Sequence, residues 1–207
     1  MKTEHNTKNN IYIVSGRYGD EMKDPAWFGT MEEAEGYVKS EMAAAIRKDP
    51  YYIRFSRNDN VDNDNDEAVI EWAEDCCVYS SWSAKDRCDS TCKYDATCTL
   101  GDHTEYCIDR LTVENTNGAF IISSMYGYTM NTPTICYTEE EAKSMIRADI
   151  ADCIREGAEG EEFKDDDEAF RYAEEHDLCR SYHVDGVYDT YTGGEDWTQY
   201  RIDRLEL

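Results

Sequence analysis

Two patterns of apolar residues alternate along the chain: short clusters rich in β-branched and aromatic residues, and longer stretches in which apolar positions return every three or four residues. The first is the signature of strands and the second of amphipathic helices. Residues 11–15 (IYIVS) and 120–124 (FIISS) are of the first kind, and each leads into a Tyr-Gly pair, Tyr18-Gly19 and Tyr126-Gly127, so each predicts an opening strand. A loop with Pro25 or Pro133 follows. Thr30 and Thr138 then stand three residues before Glu33 and Glu141, the spacing at which hydroxyl and carboxylate satisfy each other's free backbone N–H groups at a helix start.

Helical spacing continues through Met31, Ala34, Val38, Met42, Ala45 and Ile46, and again through Ala142, Met145, Ile146, Ile150, Cys153 and Ile154, which predicts one buried face per helix. A second helix is predicted after an acidic N-cap, Asp66 or Asp167, burying Ala68, Trp72 and Cys76 in the first case and Ala169, Tyr172 and Ala173 in the second. Residues 78–82 with 106–113, and 182–191 with 197–207, are aromatic and β-branched around a turn and predict a closing hairpin. The fold class expected is α+β, a β-α-α-β-β module with a three-stranded sheet packed on two helices.

The module occurs twice. A shift of 108 positions lays residues 14–47 over 122–155 without a gap, with identities at Ser15/Ser123, Tyr18/Tyr126, Gly19/Gly127, Met22/Met130, Pro25/Pro133, Thr30/Thr138, Glu33/Glu141, Ile46/Ile154 and Arg47/Arg155. At a shift of 101, Asp66-Glu67-Ala68 matches Asp167-Glu168-Ala169, and Trp72-Ala73-Glu74 answers Tyr172-Ala173-Glu174 one position less, at 100. At 94, Ile108-Asp109-Arg110-Leu111 matches Ile202-Asp203-Arg204-Leu205. Two copies are too few for a solenoid. The organisation expected is a polar tail (1–10), a first module (11–113) with a cysteine-rich loop that the second copy lacks, a joint at 114–118 (ENTNG) and a second module (119–207).

Charge changes this picture. Of 207 residues, 46 are acidic and 21 basic, a formal charge of -25. That field excludes direct nonspecific binding to nucleic acid or to anionic membrane, both of which require Lys and Arg. It favours cations or basic protein surfaces as partners, and self-repulsion favours a monomer. With 16 Tyr, 4 Trp and 5 Phe, the chain carries more aromatics than a disordered acidic segment would. No apolar run reaches the ~20 residues of a membrane span, the N-terminal segment is polar, and nine cysteines, an odd number, fit a reducing compartment; a cytoplasmic location is expected.

Candidate chemistry is sparse. Cys88, Cys92, Cys98 and His103, with Cys107 close behind, could supply thiolates and an imidazole to a zinc ion, and the alternative is a stretch of free thiols. Cys76, Cys107 and Cys153 fall on predicted buried faces. Residues 59–66 (DNVDNDND) resemble a calcium loop, but with Asp62 as first ligand Glu67 stands where the glycine is required and Ala73 where the bidentate Glu belongs. His103, His176 and His183 have no counterparts between the copies, and no nucleophile-elbow, zinc-protease or phosphate-loop motif occurs, so no catalytic residue and no cofactor other than that zinc is assigned. Duplicated acidic segments remain as the candidate binding feature: Asp62, Asp64, Asp66, Glu67, Glu71 and Glu74 in one copy, and Asp165, Asp166, Asp167, Glu168 and Glu174 in the other. Tyr79, Trp82, Tyr188, Tyr191 and Trp197 are aromatics that could add affinity beside them.

Ile11-Tyr12-Ile13-Val14, Tyr18-Gly19 and Ala26-Trp27-Phe28 before an acidic helix resemble the opening of the ArdA-type anti-restriction family, over about twenty residues and with Pro25-Ala26 where that family has glycine. In overall character the chain is similar to the small acidic anti-defence proteins of phages and mobile elements. That resemblance implies a non-catalytic inhibitor, an anti-CRISPR or anti-restriction nucleic-acid mimic, whose partner is a basic nucleic-acid-binding protein such as a nuclease. Two other readings stand beside it: a zinc- or thiol-dependent protein-binding module using the cysteine-rich stretch, and an acidic housekeeping protein.

Overall fold

In the computed structural model, residues 9–19, 21–57, 59–76, 79–84, 91–98, 103–113, 118–127, 129–158, 160–176, 179–184, 187–192 and 197–205 are described, with 79–84, 91–98, 179–184, 187–192, Asn9, His103 and Trp197 by their backbone. The chain is mixed α+β and divides into two compact units, one formed by Asn10–Thr112 and the other containing Val113–Leu207. Each unit holds one antiparallel sheet.

In the first unit β1 (Asn9–Tyr18) leads through Gly19 to β2 (Glu21–Met22), followed by β3 (Ala26–Phe28). Gly19 sits at φ +59°, a left-handed conformation that glycine adopts without a Cβ penalty, and Gly127 repeats it at +54°. Helices α1 (Met31–Lys48), α2 (Pro50–Phe55) and α3 (Asp66–Asp75) follow, then β4 (Tyr79–Ala84), β5 (Thr91–Cys98) and β6 (His103–Val113). The strand order is β2-β1-β6-β5-β4, with β3 also on β1. The second unit contains β7 (Phe120–Tyr126), β8 (Thr129–Met130), β9 (Thr134–Cys136), α4 (Glu139–Gly157), α5 (Asp166–Glu175), β10 (Cys179–Val184), β11 (Val187–Thr192) and β12 (Trp197–Arg204), in the order β10-β11-β12-β7-β8 with β9 on β7.

The β-α-α-β-β order is therefore too simple. Each sheet has six strands rather than three, because the proline loop contributes two short strands and the predicted closing hairpin is a three-stranded meander. Of the cysteine-rich stretch of the first copy, expected to be a loop absent from the second, Thr91–Cys98 is strand β5, and β11 occupies the corresponding place. Short paired segments of two or three residues carry too little periodicity to be read from sequence. Their registers nevertheless match between units at an offset of 108: Arg17↔Met22 and Met125↔Met130, Tyr12↔Phe28 and Phe120↔Cys136.

The helices bury the faces their periodicity predicts, with exceptions. Ala34, Val38, Met42, Ala43 and Ile46 of α1 pack with Val69, Trp72 and Ala73 of α3 over Val14, Tyr106 and Ile108 of the sheet. Ala142, Ile146, Ile150 and Ile154 of α4 pack with Ala169 and Ala173 of α5 over Ile122 and Tyr200. Met145, expected inside, is 43% exposed; Cys76 is exposed, Cys153 half-buried and Cys107 buried. The opposite face of β1 is buried as well, at Ile11, Ile13, Ser15 and Arg17, which is why this strand reads as a nearly continuous apolar run. There Arg17 Nε meets the Glu105 carboxylate at 3.2 Å, with both side chains at 3% exposure or less.

The caps differ from expectation by one or two residues. Asn65, not Asp66, caps α3, accepting from the N–H groups of Glu67 and Ala68, and Asp165, not Asp167, caps α5, accepting from that of Glu168. Caps and buried positions thus align the two helices at a shift of 100, with Asp66 over Asp166, Glu67 over Asp167 and Trp72 over Tyr172. The matched Asp-Glu-Ala triplets are one residue out of structural register.

Candidate functional site

The eleven acidic candidates separate into two groups. Arg47 pairs with Asp66 at 2.7 Å and Lys39 with Glu67 at 3.3 Å, joining α1 to α3. In the other unit Arg155 pairs with Asp166 and Arg147 with Asp167, joining α4 to α5. Lys39 and Arg147, like Arg47 and Arg155, are related by the 108-residue offset, so both units are clamped by the same two ion pairs. Four of the candidates are helix-to-helix clamps, a role that sequence reasoning missed although two basic residues eight apart on one helix face signalled it.

Two more are fixed by local bonds: Asp165 as a cap, and Glu168, whose carboxylate accepts from the Lys164 N–H at 2.7 Å. Asp62 accepts from the Asp64 N–H at 3.2 Å, and the loop before α3 is held further by Trp72 Nε1–H donating to Asp59 at 2.8 Å. Asp62, Asp64, Glu71, Glu74 and Glu174 are all exposed. Among the described residues no basic side chain pairs with Asp64, Glu71 or Glu174.

Glu67, Glu71 and Glu74 lie at i, i+4 and i+7 on α3, one stripe about 10 Å long at ~1.5 Å per residue. On α5 the corresponding stripe reads Asp167, Arg171, Glu174 and is interrupted by a cation. The second copy is the more negative, with 23 acidic and 8 basic residues from Glu114 onward, yet its exposed helix is the less uniform.

The zinc candidates do not converge as a set. Cys92 and Cys98 lie six residues apart on β5, about 20 Å at ~3.3 Å per residue, whereas two thiolates on one zinc each need Zn–S distances of ~2.3 Å. One ion cannot take both. Thr97 of β5 pairs with His103 of β6, so His103 is at the Cys98 end of the strand, and Cys88 lies outside the described residues. Cys107 is buried, its thiol 3.7 Å from the Glu105 carboxylate. Among the described residues no group of three or more His, Cys, Asp or Glu side chains could hold a metal ion, and no helix is long and apolar enough to cross a membrane. Tyr79, Trp82, Tyr188, Tyr191 and Trp197 fall on β4, β11 and β12, with side chains outside what is described.

A cavity of about 350 Å³ opens in the second unit where β7 and β12 pass under α4. Its lining combines Ile122, Met145, Ile146 and Ala148 with Ser124, Asp149, Asp152 and Tyr200. The Tyr200 hydroxyl donates to the Asp149 carboxylate. Burial, and after it this bond, raise the Tyr200 phenol well above its ordinary range, so it stays a neutral donor. Nothing in the sequence pattern distinguished this place, because Met145 occupies a helical position read as core. No protein-family model, curated protein or solved structure matches the chain.

Proposed function

We propose that the protein is a non-catalytic inhibitor of a nucleic-acid-targeting defence nuclease, a CRISPR effector or restriction enzyme, and that it occupies the enzyme's basic groove by acidic mimicry of nucleic acid. The two units are read as tandem copies of one α+β module acting in the cytoplasm as a monomer. The observation that carries the proposal is the exposed carboxylate surface of α3 and its leading loop, where Asp62, Asp64, Glu67, Glu71 and Glu74 project from a helix whose other face is anchored in the core. A rigid array of carboxylates can imitate the charge a duplex presents every ~1.7 Å of its axis. A net charge of -25 extends the attraction beyond contact and accelerates encounter with a basic groove. The short ArdA-like opening and the absence of catalytic motifs agree with this reading.

The clamp residues are poor probes, since changing them alters helix docking as well as charge. The test is the quadruple change Asp62→Asn, Asp64→Asn, Glu71→Gln and Glu174→Gln, none of which removes a described ion pair. Protein immobilised at low salt should capture a nuclease from host cytosol, release it in a salt gradient, and be displaced by DNA or RNA. The quadruple variant should lose capture while keeping its circular dichroism spectrum. Undiminished capture by the folded variant, or partners indifferent to nucleic acid, would sink the mimicry reading.

A further inference from the structure

The cavity in the second unit and its counterpart in the first differ in one informative way. Lys23 and Asn131 hold equivalent places: each donates its backbone N–H to the β1 or β7 carbonyl at the offset position, Lys23 to Gly16 at 2.8 Å and Asn131 to Ser124 at 2.9 Å. From there the Lys23 side chain reaches inward. Its ammonium donates to the Glu41 carboxylate at 2.8 Å and to the Tyr106 hydroxyl, and lies 4.8 Å from the centre of the Tyr106 ring. Glu41 and Tyr106 correspond to Asp149 and Tyr200, and Gly16 to Ser124, three residues that line the cavity.

The second unit therefore keeps the carboxylate and phenol that receive an ammonium in the first, and lacks the lysine. Asn131 is too short to reach them, and its amide turns to the Ser124 hydroxyl at 3.1 Å. Tyr37, which packs on Phe28 in the first unit at 5.3 Å between ring centres, is replaced by the slimmer Met145. Ala44 is replaced by Asp152, which adds a second carboxylate shared with Arg155 at 2.7 Å. Among the described residues no Lys or Arg pairs with Asp149.

We infer that this cavity is a binding site for a primary alkylammonium group, supplied in trans at the position that Lys23 fills in cis in the first unit. Ile122, Met145, Ile146 and Ala148 would flank the aliphatic stem while Asp149 and the Tyr200 hydroxyl receive the ammonium. The inference is independent of the inhibitor reading, because it concerns one pocket and one small cation. Its chemistry belongs equally to a lysine side chain of a partner and to a free alkyl diamine.

The test follows the methyl resonance of Met145 during titration with n-butylammonium in 150 mM salt, with n-butanol as the neutral isostere. Saturable shifts with the amine and none with the alcohol are expected, and Asp149→Asn should weaken binding at least tenfold. Asn131→Lys should restore the internal ammonium, abolish the response and raise Tm, so that loss of binding is not loss of fold. Titrations with Nα-acetyl-lysine amide and 1,5-diaminopentane then separate the sources by which binds more tightly. Absence of saturation with n-butylammonium, or an Asp149→Asn protein that binds it unchanged, would overturn the inference irrespective of whether the chain captures a nuclease.

Discussion

Arg17 and Glu105 show how costly a buried charge is and how differently two similar sheets manage the same place. Their counterparts at offsets of 108 and 94 are Met125 and Gln199, which are register partners on β7 and β12. Changing Arg17→Met alone leaves the Glu105 charge buried without the Arg17 guanidinium and should cost about 3–5 kcal/mol in urea unfolding. Adding Glu105→Gln reproduces the neutral combination of the other unit and should recover most of that loss; a double variant as unstable as the single one would refute this account. Gly16 is constrained similarly, since a Cβ there would stand 2.8 Å from the Tyr106 ring, whereas Ser124 occupies the corresponding place beside Tyr200.

Helix starts decide the boundaries at the scale of elements. At Thr30 the hydroxyl accepts from the Glu33 N–H at 3.2 Å and the Glu33 carboxylate accepts from the Thr30 N–H at 3.1 Å, the full reciprocal cap. At Thr138 only half of it forms: the hydroxyl accepts from Glu141, but the Glu141 carboxylate turns to the Tyr137 N–H at 2.9 Å. Thr30→Ala removes both the acceptor of the Glu33 N–H and the hydroxyl that donates to the Glu33 carboxylate at 3.0 Å and should destabilise by about 1 kcal/mol, and Thr138→Ala, which removes the acceptor of the Glu141 N–H, by no more; chemical unfolding midpoints would check the ranking. Both helix starts were legible from four residues each, but the reciprocal half expected of Glu141 does not form. The caps of α3 and α5 were not, since runs such as Asp62–Asp66 and Asp165–Asp167 offer several adjacent acceptors and only the backbone geometry chooses among them.

Self-repulsion is the dominant electrostatic fact at the scale of the whole molecule. With a net charge of -25, raising salt should screen repulsion between carboxylates more than it weakens the exposed clamps, which individually contribute little. Tm should therefore rise by several degrees between 20 mM and 300 mM sodium chloride on calorimetry. A falling Tm would mean that the four repeated ion pairs outweigh the repulsion. The same screening should weaken capture of a basic partner, so salt moves stability and affinity in opposite directions.

The sequence by itself determined the mixed α+β class, the opening strands, the main helices with most of their buried positions, and the acidity. These depend on local periodicity and composition, which a single chain carries in full. Tertiary structure alone showed that Cys92 and Cys98 lie on a strand, that the helices after the acidic loops take the shift of 100 of the aromatic match rather than the 101 of the Asp-Glu-Ala match, and that four of the acidic candidates are clamps. It also decided that Met145 faces a cavity rather than the core. Each of these turns on which residue is brought opposite which: a ladder partner, a basic side chain one helix away, or a missing lysine at an equivalent position. Such pairings are set by packing between segments far apart in the chain, and periodicity within one segment cannot encode them.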